Sequence, residues 1–237
     1  MKNLVVDIGN TRIKWGWYNQ ADLLDSGSCI DPAELMEMVS YADKLLISSV
    51  RQNEPKEFPQ EKTAWLNSKT LLPISIDYQT PHTLGLDRIA SAVGAWDEFA
   101  GKNSLIIDLG TCITYDLITR DGTFRGGAIA PGIMMRAKSM HQFTGKLPLI
   151  ELKAAEPTHF PGKTTAESMR LGVLQGVFHE ISGYIYQLEE EIEDLHVILT
   201  GGDTSYFETK IKAPIFVRPE IILTGLNRIL LYNEIHA

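Results

Sequence analysis

The chain has 237 residues, of which 44% are hydrophobic and 22% charged, and a formal charge of −8. That length supports one or two compact domains with a core large enough to flank a cleft, and the composition excludes a disordered or low-complexity protein. An acidic balance without any Lys/Arg cluster argues against nucleic acid as a partner, because phosphate neutralisation demands a basic surface.

Neither cysteine, Cys29 or Cys112, has the spacing of a metal site, so a reducing compartment fits. Leu4-Val5-Val6 meets Asp7 too soon to be a signal-peptide core. No later run approaches membrane-spanning length, so a cytoplasmic protein without a membrane partner is expected.

In chain order, Leu4-Val5-Val6 is an apolar run of strand character that ends in Asp7-Ile8-Gly9-Asn10-Thr11. A second strand-like stretch, Arg12 to Gly16, follows at once, which predicts a tight β-hairpin. Asp31-Pro32 is a cap-and-first-turn pair that opens a helix predicted over 33–42. A short strand over 45–50 and a helix over 87–100, stopped by Gly101, complete this half. The pattern then begins again. Leu105-Ile106-Ile107-Asp108-Leu109-Gly110-Thr111, followed by Cys112-Ile113-Thr114-Tyr115-Asp116, repeats the opening hairpin, and an Asp121-Gly122 turn leads to a third strand over 123–130. Gly126-Gly127 lies at the end of that strand, ahead of a helix. The longest helix is predicted over 164–194, where Gly172, Gly176 and Gly183 would permit close packing. Strands over 196–200 and 214–217 and a helix from Pro219 finish the chain.

The repeated loops carry the chemistry. A turn in which Asp-x-Gly is followed within two residues by a hydroxyl residue offers backbone amides and a hydroxyl to phosphate oxygens, its glycine allows close approach, and its Asp can hold a hydrated Mg²⁺. Lys14 adds positive charge. One such turn alone is as well explained as a simple turn. Two of them, one domain apart, resemble the paired phosphate loops of the actin, hexokinase and Hsp70 group. The expected fold is therefore α/β: two duplicated actin-like (ribonuclease H-like) domains, 1–101 and 102–237, with an ATP cleft between them. The last helix could pack back on the first domain.

Gly85-Leu86-Asp87-Arg88 precedes an apolar helix. Asp87 is either a helix N-cap or a carboxylate that accepts a proton from a substrate hydroxyl, with Arg88 holding an anionic substrate. Gly201-Gly202-Asp203, after a strand, has the form of a turn beside a nucleotide's adenosine.

Taken together, the stretches Asp7 to Lys14, Gly85 to Arg88, Asp108 to Thr111, Gly126 to Gly132 and Gly162-Lys163-Thr164-Thr165 with Ser168 and Gly172 resemble the type III pantothenate kinase family. The resemblance implies transfer of the ATP γ-phosphate to the primary hydroxyl of pantothenate, the first step of coenzyme A synthesis. It also implies a homodimer and a monovalent cation, K⁺ or NH₄⁺, in addition to Mg²⁺. Carried over by position, Asp7, Ile8, Gly9, Asn10, Thr11, Arg12, Ile13, Lys14 and Thr111 would bind ATP. Tyr78, Gly85, Leu86, Asp87, Arg88 and Thr165 would hold pantothenate, with Asp87 the proton acceptor, and Asp108 would hold the monovalent cation. Thr164 stands where the family commonly has Asn. The rival readings are a kinase of the same architecture for another small hydroxyl compound such as a sugar, and a non-catalytic ATP-binding regulator. A further expectation is that the long helix, apolar on more than one face, supports a dimer.

Overall fold

Strand β1 (Lys2–Ile8) has no apolar–polar alternation because it is buried on both faces: Leu4, Val5, Val6 and Ile8 are all fully enclosed. The chain returns in β2 (Ile13–Asn19), antiparallel to β1, with Val6 opposite Trp15 and Asp7 opposite Lys14. The computed structural model, which describes residues 1–51, 55, 57–153 and 159–236, adds a third strand that the sequence reading passed over, β3 (Asp22–Cys29). Most of β3 is exposed, so it lacks a hydrophobic stripe, and the antiparallel ladder to β2 is what defines it. Across that ladder the Trp15 indole packs on Gly27, where a side chain would collide with the ring.

Strands β4 (Lys44–Ser49) and β5 (Thr63–Trp65) add in parallel, giving the sheet order β3-β2-β1-β4-β5. The helix expected over 33–42 divides into a 3₁₀ turn, Pro32–Leu35, and a short helix α1 (Met36–Tyr41). Asp31 closes a capping box there: its carboxylate accepts the Ala33 N–H at 2.9 Å, and Glu34 accepts the Asp31 N–H at 3.1 Å.

The residues form two compact units, Met1–Ser104 with Asp116–Gly126 and Glu220–Ala237, and Leu105–Tyr115 with Gly127–Pro219. In the first, helix α2 (Leu86–Glu98) lies against the final helix α5 (Ile221–His236) at a close crossing. A Cβ on Gly94 would overlap the Ile221 carbonyl, and one on Gly225 would overlap the Ala90 carbonyl. The first unit's core gathers Leu4, Val6, Ile8, Ile13, Leu45 and Ile47 beneath Leu35 and Val39.

The repeat supplies β7 (Asn103–Leu109), β8 (Cys112–Ile118) and β9 (Thr123–Pro131), preceded by the two-residue β6 (Ser75–Ile76). With β10 (Leu195–Thr200) and β11 (Ile215–Val217) they give the order β11-β10-β7-β8-β9-β6. In the second unit, α3 (Ile133–Gln142) and the 27-residue α4 (Thr165–Glu191) accompany these strands. The core there joins Leu105, Ile107 and Tyr115 to Val173, Val177 and Ile181.

Two expectations about α4 change. Its apolar residues Met169, Leu171, Val173, Leu174, Val177, Ile181 and Ile185 are buried within the one chain, so its circumference carries no argument for a dimer. Gly172, Gly176 and Gly183 have nothing within 4 Å of a would-be Cβ, so they do not serve close packing.

Candidate active site

The first-copy loop, Gly9 to Arg12, joins β1 to β2 in four residues and is closed by the Gly9 N–H donating to the Arg12 carbonyl at 3.1 Å. Asn10, Thr11 and Arg12 are exposed at its tip, whereas Asp7 is buried at the end of β1 and Lys14 is half-buried opposite it. Directly opposed strand residues point to the same face, so the ladder puts Lys14 and Asp7 on one face of the sheet. Sequence reasoning missed Arg51. It follows β4, and its Nε donates to the Gly9 carbonyl at 2.9 Å, tying the loop from behind. Nothing local in the sequence signals this contact, because 42 residues separate the two.

A second cluster in the same unit forms where α2 begins. Gly85, not Asp87, is the N-cap; Asp87 sits in the first turn, half-buried, with Oδ1 accepting the Arg88 N–H at 2.8 Å. The carboxylate folds back over Gly85, where an added Cβ would stand 2.5 Å from Oδ1. Leu86 opens the helix. Arg88 is 6% exposed and its guanidinium turns inward: Nε and Nη2 both donate to Oδ1 of Asp116, at 2.8 and 2.5 Å. Burial alone would push the Arg88 pKa down, but the hydrogen bonds and charge of Asp116, with a further bond to Tyr78, hold it above its ordinary value. The Phe124 ring lies under the guanidinium, 5.7 Å from centroid to Cζ, and Tyr78 packs beside Phe124. Gly126 has φ +87°, a left-handed conformation, and its missing Cβ makes room for the Tyr78 ring 3.3 Å away. That glycine lies within β9 and seats a side chain.

The second-copy loop belongs to the other unit and is shorter: only Gly110 and Thr111 separate β7 from β8, and the Gly110 N–H donates to the Cys112 carbonyl at 3.1 Å. Gly132, ahead of α3, packs so closely that any Cβ would overlap the Gly110 and Thr111 carbonyls. The 201–203 turn closes from another direction. Gly201 has φ +94°, and its would-be Cβ falls 2.5 Å from both the Leu109 backbone and Asp108 Oδ1. The Asp203 N–H donates to the Leu109 carbonyl at 3.0 Å. Burial, reinforced by the negative charge of Asp108, raises the Asp203 pKa, so two carboxylates are held against each other at this loop. Thr111 is exposed at the tip.

At the start of α4, the Thr164 hydroxyl accepts the Glu167 N–H at 3.2 Å and Glu167 reaches back to the Thr164 N–H, so Thr164 is an N-cap. Thr165 follows, exposed. Among the described residues no three His, Cys, Asp or Glu side chains gather to hold a metal, and no helix is long and apolar enough to cross a membrane.

The model of the family described as type III pantothenate kinase matches residues 3–187. A type III pantothenate kinase from Cytophaga hutchinsonii is 44% identical over 98% of this chain and 99% of its own length. Among solved structures, the activator of the 2-hydroxyisocaproyl-CoA dehydratase from Clostridium difficile is similar at a TM-score of 0.58 and 14% identity, covering 98% of this chain and 94% of that one. The ROK hexokinase from Thermus thermophilus is similar at a TM-score of 0.51 and 14% identity, covering 100% and 99%.

Proposed function

We propose how the residues of this chain, which belongs to the type III pantothenate kinase family, is built of actin-like α/β domains and uses ATP to phosphorylate pantothenate in coenzyme A biosynthesis, divide that reaction with Mg²⁺ as the metal. The family match favours pantothenate over a sugar and catalysis over ATP binding alone.

Asp87 is the proton acceptor. The primary hydroxyl oxygen of pantothenate bonds to the γ-phosphorus as the bond to the β,γ-bridging oxygen breaks, ADP leaves, and the hydroxyl proton passes to the Asp87 carboxylate. The observation that carries this reading is the position of Asp87: Gly85 occupies the N-cap position, so Asp87, in the first turn, is not the N-cap residue. Its Oδ1 is fixed by the Arg88 amide, while Oδ2 takes no hydrogen bond from the described residues. Gly85, Leu86, Arg88 and Tyr78 hold pantothenate beside it. Thr165 supplies a further hydroxyl, a choice supported by the engagement of Thr164 in the cap.

Residues Asp7 to Lys14 and Thr111 hold ATP, the loops offering amides and hydroxyls to its phosphates. Asp7 fits a Mg²⁺ ion that keeps most of its waters, as a single buried carboxylate at a strand end would provide. When bound, that ion neutralises phosphate charge. Asp108 fits a K⁺ or NH₄⁺ ion, because the neighbouring Asp203 carboxylate adds a second negative charge that a cation would relieve. The duplicated domains divide at residues 1–101 and 102–237, with the last helix, α5, returning to pack on α2 of the first. The protein is a cytoplasmic homodimer, and the apolar side chains left exposed, Phe143 at 80% and Phe160 at 92%, support an interface.

The deciding experiment is direct detection of phosphopantothenate from purified protein, ATP and pantothenate, for the parent and for Asp87→Asn. The variant is expected to lose roughly 10²–10⁴ in kcat with ATP affinity retained. Parental kcat would remove Asp87 from the role.

A further inference from the structure

We propose that Asp116 is a positioning residue of the pantothenate subsite: it locks the Arg88 guanidinium in the one orientation that Asp87 and substrate require. The proposal rests on the reading that Gly85 to Arg88 hold pantothenate, and it adds a residue that lies outside those motifs. Asp116 is on β8, 1% exposed, and receives Nε and Nη2 of Arg88 on the same oxygen.

Several constraints converge on one side chain. An arginine on a helix has several rotatable bonds, and unless partners hold it, its donors sweep a wide volume. Here Oδ1 of Asp116 fixes two donors, the fully buried Phe124 ring supports the guanidinium plane, and Tyr78 bonds it as well. Tyr78 is held in turn by the space at Gly126. Asp87 is the residue before Arg88 and takes its backbone N–H, so Arg88 is anchored at both ends: the amide by Asp87, the guanidinium by Asp116.

Charge points the same way. A guanidinium at 6% exposure without a counter-ion would be strongly disfavoured, and Asp116 supplies the balancing charge within the unit. Arg88 therefore meets substrate as an oriented hydrogen-bond donor whose charge is already compensated. Asp116 contributes the counter-charge and, through it, the orientation of Arg88, so its loss falls on pantothenate affinity and not on ATP.

Asp116→Asn keeps the shape and removes the charge. The expected result is a pantothenate KM raised on the order of ten- to a hundred-fold, the scale of a charge-assisted hydrogen bond, with the ATP KM within about twofold of the parent. A merely structural role would instead lower the folded fraction and leave both KM values alone. Should Asp116→Asn not fold, Asp116→Glu preserves the ion pair while shifting its oxygens by one methylene, and it is expected to raise the pantothenate KM selectively too. A parental pantothenate KM in the folded variant overturns the positioning role while leaving the subsite standing, provided Asp87→Asn still loses roughly 10²–10⁴ in kcat. Full turnover by Asp87→Asn would sink the subsite reading itself, and this proposal with it.

Discussion

Replacing Gly225 with alanine tests the packing that seats α2, and with it Asp87. A Cβ at 225 would overlap the Ala90 carbonyl, and the obstacle is backbone, which cannot rotate aside as a side chain can. Overpacking of this kind costs about 1–3 kcal/mol, and a backbone-on-backbone clash belongs at the upper end, ~3 kcal/mol. Alanine recovers about 1 kcal/mol of helix propensity over glycine. The net loss is therefore ~2 kcal/mol, or about 4–8 °C in Tm for a chain of 237 residues. Gly183→Ala is the internal control: it is helical too, but nothing lies within 4 Å of its would-be Cβ, so only the propensity gain of about 1 kcal/mol remains. Urea unfolding followed by circular dichroism reads both variants. Opposite signs are expected. A Gly225→Ala protein as stable as the parent, or two variants that shift together, would refute the argument that the α2–α5 crossing depends on these glycines. Ala90 is three residues beyond Asp87, so the displaced turn should lower kcat as well.

Gly126→Ala should cost about 1–2 kcal/mol from its φ of +87° and should push the Tyr78 ring aside, raising the pantothenate KM selectively. Steady-state titration of each substrate checks this, and an unchanged pantothenate KM counts against Tyr78 as a contact. Asp203→Asn should stabilise the protein near neutral pH. The raised Asp203 pKa means that the folded state binds more protons than the unfolded one between the ordinary and the raised values, so stability falls as pH rises through that window. Asparagine removes the cost. Thermal melts of both proteins should separate near neutral pH and converge below the carboxylate range, and no separation near neutral pH would contradict the burial and charge argument.

What the sequence made legible was whatever depends on local chemistry. The two hairpins announced themselves because a fully buried strand must be continuously apolar and because Asp-x-Gly ends it. The long helix is legible to within one residue at its start and three at its end, and the Thr164–Glu167 capping box is what fixes that start. Strand β3 was missed because its side chains are mostly solvated, and β5 and β6 because three and two residues carry no period. At the site, Asp87 is legible as a candidate, but whether it is the N-cap residue is decided only by where the helix starts, which puts Gly85 at that position. Asp116 had been read as part of a repeat with no role of its own. A carboxylate inside Cys112-Ile113-Thr114-Tyr115-Asp116-Leu117-Ile118 is a buried charge in waiting, and buried charges need partners. The partner, Arg88, lies 28 residues earlier, beyond the reach of any local pattern. The contact of Arg51 with Gly9 and the approach of Asp203 to Asp108 are hidden for the same reason: each acts on a backbone or carboxylate brought to it by the fold.

The place of α5 has a consequence for synthesis. Glu220 to the C-terminus belongs to the same unit as β1, so the first-made strands wait for the last-made helix, whose glycine meets Ala90 of α2. On the ribosome, the unit holding residues 127–219 has all its parts before the unit that begins at Met1. A nascent chain stalled near residue 219 would therefore leave its amino-terminal half, and not merely its tail, exposed to proteases, with the Gly94 and Ala90 face of α2 uncovered.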